Sequence, residues 1–153
     1  MRAYAKMNGG FSTSNGTMTN QQIGIMSTDS FGSTSNPRNG IMFLGDAPGG
    51  TYGDFGCYTA ASGLFGTHVD TGIAHDTNFH WFEIDVSPTP PSGTASTNGT
   101  RIVFKIDHVT VCSMTQATAQ FSYNPFFGVA NNDSAQGSMI IDYFDMTFAV
   151  NRP

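Results

Sequence analysis

The sequence has few charges and few helix formers. Charged residues make up 11% of 153 residues, and Glu83 is the only glutamate. Six Lys and Arg against eleven Asp and Glu leave a net charge of −5, so the chain has no basic patch for a phosphate backbone and nucleic-acid binding is not expected. It has no run of eighteen apolar residues, and the opening MRAYAKMNGG lacks the apolar core of a secretory signal. Neither a membrane span nor a Sec-type address is read. No helical periodicity is sustained beyond about two turns.

Gly, Ser, Thr and Asn are abundant, and 12% of the chain is aromatic. That composition favours turns and pleated strands over helices. A chain of this length is expected to fold as one domain, residues 1–153. Cys57 and Cys112 lie in neither a CxxC nor a zinc-type spacing, and with no sign of export they are read as free thiols in preference to a disulfide.

The clearest pattern runs from Phe79 to Val111. FHWFEIDV alternates apolar Phe79, Trp81 or Phe82, Ile84 and Val86 with Glu83 and Asp85, the period of a half-buried strand. Ile102, Phe104 and Ile106 form a second such strand, and Val109 and Val111 follow a turn at Asp107-His108. Ser87 to Thr100 holds three prolines and two glycines and reads as a surface loop.

Further strands are expected at Arg2–Lys6, Gln22–Ser27 and Gly40–Leu44, the last two as antiparallel neighbours. Pro125–Val129 reads as a buried run. Met139–Val150, long and apolar, reads as a central strand of its sheet. Gly45–Gly66 carries seven glycines with Tyr52, Phe55, Tyr58 and Phe65. Its plain reading is irregular strands with tight turns, and its sharper one is a loop offering rings to a sugar. With no internal repeat, about ten short strands point to an all-β, two-sheet antiparallel jelly-roll sandwich.

Phe79-His80-Trp81-Phe82-Glu83-Ile84, then Thr100-Arg101-Ile102-Val103-Phe104-Lys105-Ile106-Asp107, and finally Met139-Ile140-Ile141-Asp142-Tyr143-Phe144, resemble in order the core strands of concanavalin A-like jelly rolls such as laminarinase-type glucanases and laminin-G-like domains. The resemblance covers roughly the C-terminal half. Family members carry strands ahead of the one that Arg2–Lys6 resembles. It therefore implies an abbreviated domain, or a sheet whose first strands come from residues beyond this chain or from a neighbouring subunit. His108 stands where glycan-processing relatives place Gly, which leaves the turn type open.

Glu83-Ile84-Asp85 invites comparison with the glucanase E-x-D-x-E, but by order FHWFEID matches the strand after the catalytic one. A retaining glucanase also needs two carboxyl groups about 5–5.5 Å apart, both glutamates in the family. Asp85 with Asp107 is the remaining pair, and both read more simply as outward strand residues. His68, His75, His80 and His108 are scattered, without a nucleophile elbow. Catalytic residues are therefore expected to be none, and the same holds for cofactors and metals. A structural calcium would have to come from Asp70 with His75 and Asp76, or Asp46 with Asp54.

Two functions remain: a structural or adhesion module of a virus or phage particle, and a lectin or glycan-degrading enzyme. The first implies a virion protein assembled in the host cytoplasm, with other virion subunits or copies of itself as partners and cell-surface glycan as a ligand. The second implies an extracellular protein. The candidate ligand-binding residues are Trp81, Tyr58 and Tyr52, rings that could stack on a sugar.

Overall fold

A computed structural model of the chain describes residues 1–8, 20–27, 40–45, 53–60, 66–88, 99–117, 123–130 and 138–147. They form ten strands: β1 (Arg2–Asn8), β2 (Asn20–Ser27), β3 (Gly40–Gly45), β4 (Asp54–Ala60), β5 (Thr67–Ala74), β6 (His80–Pro88), β7 (Gly99–Ile106), β8 (Val109–Ala117), β9 (Tyr123–Ala130) and β10 (Ser138–Asp145). The strands pair antiparallel into two five-stranded sheets, sheet A in the order β10-β1-β6-β7-β8 and sheet B in the order β5-β4-β3-β2-β9. Both sheets contribute to one apolar core, so the protein is an all-β antiparallel sandwich, compatible with a jelly roll.

Sheet A is amphipathic. In β1, Ala3, Ala5 and Met7 are fully buried while Arg2, Tyr4 and Lys6 face outward. In β6 and β7 the core residues are Phe82, Ile84, Ile102, Phe104 and Ile106, which settles the open choice between Trp81 and Phe82. Phe43 of β3 meets Phe82 and Phe104 edge-on, each at 5.1 Å between ring centroids, and so joins the sheets at the middle of the core.

The middle of sheet B is buried on both faces. Ile23, Ile41, Phe43, Phe55 and Cys57 enter the shared core, while Met26, Met42, Leu44, Tyr58 and Ala60 form a second buried cluster on the other face. This is why Gly40–Leu44 reads as a continuous apolar run and not as an alternation. Gly24 has to be glycine, because a Cβ there would collide with the Ile41 carbonyl and the Met42 backbone of the paired strand.

Three expectations are corrected. Cys57 and Cys112 are not free thiols but a disulfide, with Cα atoms 6.6 Å apart. The alternation of β4 turns Cys57 inward beside Phe55, and that of β8 turns Cys112 inward opposite Phe104, so the bond crosses the core between the sheets. Next, the last strand is not central. β10 ends at Asp145 and, among the described residues, pairs with β1 alone, and Ile140, Ile141, Tyr143 and Phe144 are between 36% and 46% exposed. Its apolar length misled because the small Ala3 and Ala5 place β1, not β10, in the interior of the sheet. Finally, Pro125–Val129 is not buried. It lies in β9, the opposite edge of sheet B from β5, with Pro125 and Val129 exposed.

Candidate binding face on sheet A

On the outer face of sheet A, β1 and the start of β6 interleave their side chains. Antiparallel pairing sets Tyr4 opposite Trp81 and Arg2 opposite Glu83. Ring centroids lie 5.1 Å apart for Tyr4 and Phe79, and 4.9 Å for Tyr4 and Trp81. The Lys6 ammonium sits 5.3 Å from the Phe79 ring at one end, and the Arg2 guanidinium 5.0 Å from the Trp81 ring at the other. The result is a zigzag row, Lys6–Phe79–Tyr4–Trp81–Arg2, of cross-strand aromatic and cation–π contacts. Tyr143 of β10 extends it sideways, 5.7 Å from Trp81 and 44% exposed.

Three acidic residues of this sheet lie against basic groups. His108 Nδ1 lies 2.6 Å from Glu83 Oε1, and Lys105 Nζ donates to Asp85 Oδ2 at 2.6 Å. Asp145 Oδ2 is 3.8 Å from Arg2. Lys105 is raised above the ordinary lysine value by its hydrogen bond to Asp85 and by that carboxylate's charge.

At the hairpin tip joining β7 to β8, the two-residue turn Asp107-His108 has φ of 51° and 69°. Positive φ at both central residues is the type I′ turn, which Asn-Gly or Asp-Gly would form with less strain. Asp107 makes the turn useful. Its Oδ1 accepts from the Trp81 backbone N–H at 2.9 Å, and its Oδ2 lies 2.6 Å from His80 Nδ1.

Neither a protein-family model, a curated protein nor a solved structure matches the chain. Its site is therefore read from its own geometry.

Of the candidate residues, Trp81 and Tyr58 lie on opposite sides of the sandwich. Trp81 is half-buried on the outer face of sheet A, in contact with Tyr4, Tyr143, His108 and Arg2. Tyr58 is 3% exposed and belongs to the second cluster of sheet B, on the far side of the sandwich. Its hydroxyl accepts from the Gly66 N–H, and burial raises it above the ordinary tyrosine value despite that bond. It offers no ring face to a sugar. Tyr52, like Asp46 and Phe65, lies outside the described residues.

Asp85 and Asp107 are also separated. Asp107 binds the Trp81 backbone, and Asp85 is four residues further along β6, about 13 Å at about 3.3 Å per residue. Asp70 Oδ1 accepts from the Gly72 N–H and Asp76 holds His80, while His75 is buried with its ring edge-on to Phe55. Among the described residues no group of three His, Cys, Asp or Glu is arranged to hold a metal.

Sequence reasoning missed Tyr4, Tyr143 and Arg2 as neighbours of Trp81. The alternation of Arg2, Tyr4 and Lys6 already placed them on one face. What it lacked was the pairing of β1 with both β6 and β10.

Proposed function

We propose that this chain is a non-enzymatic structural or adhesion module of a virus or phage particle, a tail fibre, spike or capsid decoration built on a concanavalin A-like jelly roll. The observation that carries the reading is the outer face of sheet A. There, Glu83, Asp85 and Asp107 are tied to His108, Lys105 and His80, beside a row of aromatic rings. Carboxylates held in this way serve as strand and turn fasteners, not as acid/base pairs.

The cross-sheet disulfide fits work outside the cytoplasm, since such bonds persist on virion and cell surfaces. A subunit assembled in a reducing host cytoplasm would close it after release, the two thiols giving up two electrons and two protons to an external oxidant such as dioxygen. The exposed apolar strand β10, an edge among the described residues, suits pairing with a second copy, since such an edge is a template for another strand. A lectin is the second reading, favoured by the exposed Tyr143 beside Trp81.

Light scattering, a glycan array and a reducing-sugar assay on the purified chain test these readings together. The structural reading expects an oligomer that a Lys introduced at Ile140 dissociates, and no sugar release. Sugar release overturns it, as does a monomer without glycan response. Glycan binding by a monomer, lost in Trp81→Ala and Tyr143→Ala, replaces it with the lectin.

A further inference from the structure

His80 lies at the mouth of the core, with both ring nitrogens against carboxylates. Nδ1 is 2.6 Å from Asp107 Oδ2 and Nε2 is 2.9 Å from Asp76 Oδ1. The ring packs edge-on to Phe55 at 5.5 Å and Phe82 at 6.1 Å, so it cannot turn away without uncovering core aromatics. Both carboxylates are fixed independently. Asp107 accepts from the Trp81 N–H, and Asp76 accepts from the Asn78 N–H and the Asn78 side-chain amide, both at 2.7 Å.

A neutral imidazole has one N–H and one lone pair, whereas an imidazolium has two N–H donors. Two ionised carboxylates on one ring can therefore both be satisfied only by the protonated form. When the proton leaves, one nitrogen turns a lone pair toward a carboxylate and that contact has to open. The longer contact, to Asp76, belongs to the segment between β5 and β6, whereas Asp107 is also bound to the Trp81 backbone.

We infer that His80 is a pH-operated latch: as an imidazolium it fastens the 75–79 segment to the β7–β8 turn, and on deprotonation it releases Asp76. The segment ends in Phe79, the ring on which Lys6 and Tyr4 rest, so release loosens one end of the aromatic row. Among the described residues, Asp76 and Asp107 are the charged groups facing the ring, and Phe55 and Phe82, which pack against it, do not titrate.

The electrostatics agree. Burial lowers His80, but the hydrogen bonds and charges of Asp107 and Asp76 outweigh it and hold the group above its ordinary 6.5. Burial raises Asp76, and the bonds from Asn78 and His80 with the His80 charge outweigh that to hold it below 3.8. A raised His80 stabilises the fold fully below pH 6.5, and this is lost as pH rises through its folded value. A lowered Asp76 stabilises above pH 3.8, and this is lost as pH falls through its own. The latch is thus closed in mildly acidic solution and opens on the alkaline side. His68, lowered by burial against the opposing charge of Asp70, acts in the reverse sense, so global stability is not a clean readout.

The test is site-resolved NMR on the whole chain. Imidazole nitrogen shifts at pH 6 are expected to show both His80 nitrogens protonated, with a midpoint above 6.5. Amide exchange of residues 76–79, corrected for its intrinsic pH dependence, should step upward through the same midpoint. In Asp76→Asn the midpoint should fall and the step should vanish. A His80 midpoint at or below 6.5, one unmoved in Asp76→Asn, or exchange without a step overturns the latch. The wild-type titration decides even if the variant does not fold.

Discussion

The disulfide closes an interval of 55 residues between β4 and β8. Within the chain-entropy description, removing such a loop from the unfolded ensemble is worth about 4 kcal/mol at 25 °C. For a chain of 153 residues each kcal/mol moves Tm by roughly 2–4 °C, so reduction should cost roughly 8–16 °C. Both cysteines are buried, at 0% and 4% exposure, so thiol reagents will not discriminate in the native state. The assay therefore starts with unfolding in guanidinium without reductant, where thiol titration should find none. Urea unfolding then compares the oxidised protein, the reduced protein and Cys57→Ala/Cys112→Ala. Two titratable thiols in the unreduced sample would refute the bridge itself. Equal midpoints for oxidised and reduced protein would show that the interval is already held close in the unfolded chain, which refutes the entropy argument.

Ile106→Ala, at a residue 2% exposed, should cost about 2–5 kcal/mol in urea unfolding. Phe144→Ala, at 36% exposure on the sheet edge, should cost less than half of that, and equal losses would contradict the edge position of β10. His108→Gly should raise stability by about 0.5–1 kcal/mol through relief of the positive φ, less a small loss at Glu83. A fall in midpoint would mean that the Glu83 contact outweighs turn strain. Glu83→Gln should leave any sugar-releasing activity unchanged with the fold intact, and its loss would restore Glu83 as a catalytic candidate.

The sequence carried the fold class because the pattern of sheet A is local. Arg2–Lys6 and Ile102–Ile106 alternate residue by residue, and each alternation survives unchanged in the sandwich. It carried less where a strand's status depends on its neighbours. β5 was not foreseen as a strand, because Thr67, Asp70 and Thr71 are polar and only Val69 and Ile73 mark it, as befits an edge. β8 runs on through Ser113 and Thr115, and its inward residues are Cys112 and Met114 because the register shifts between Phe104 and Lys105. Trp81 was legible as a ring near the surface. Its partners were not, because Tyr4 and Tyr143 are distant from it in sequence and meet it only through sheet order.

Between Cys57 and Cys112 lie β5, β6 and β7 and the Pro-rich stretch from Ser87 to Thr100. A peptide bond cut anywhere in that interval leaves one covalent molecule, because the sulfur bridge joins what the backbone no longer does. The halves would also stay registered through β1 on β10 and β2 on β9, pairings that do not depend on continuity between β6 and β7. If the proposed work outside a cell exposes the chain to proteases, a nick within that interval would leave it one molecule. Damage there would appear as two fragments on a reducing gel and as an intact mass on a non-reducing one.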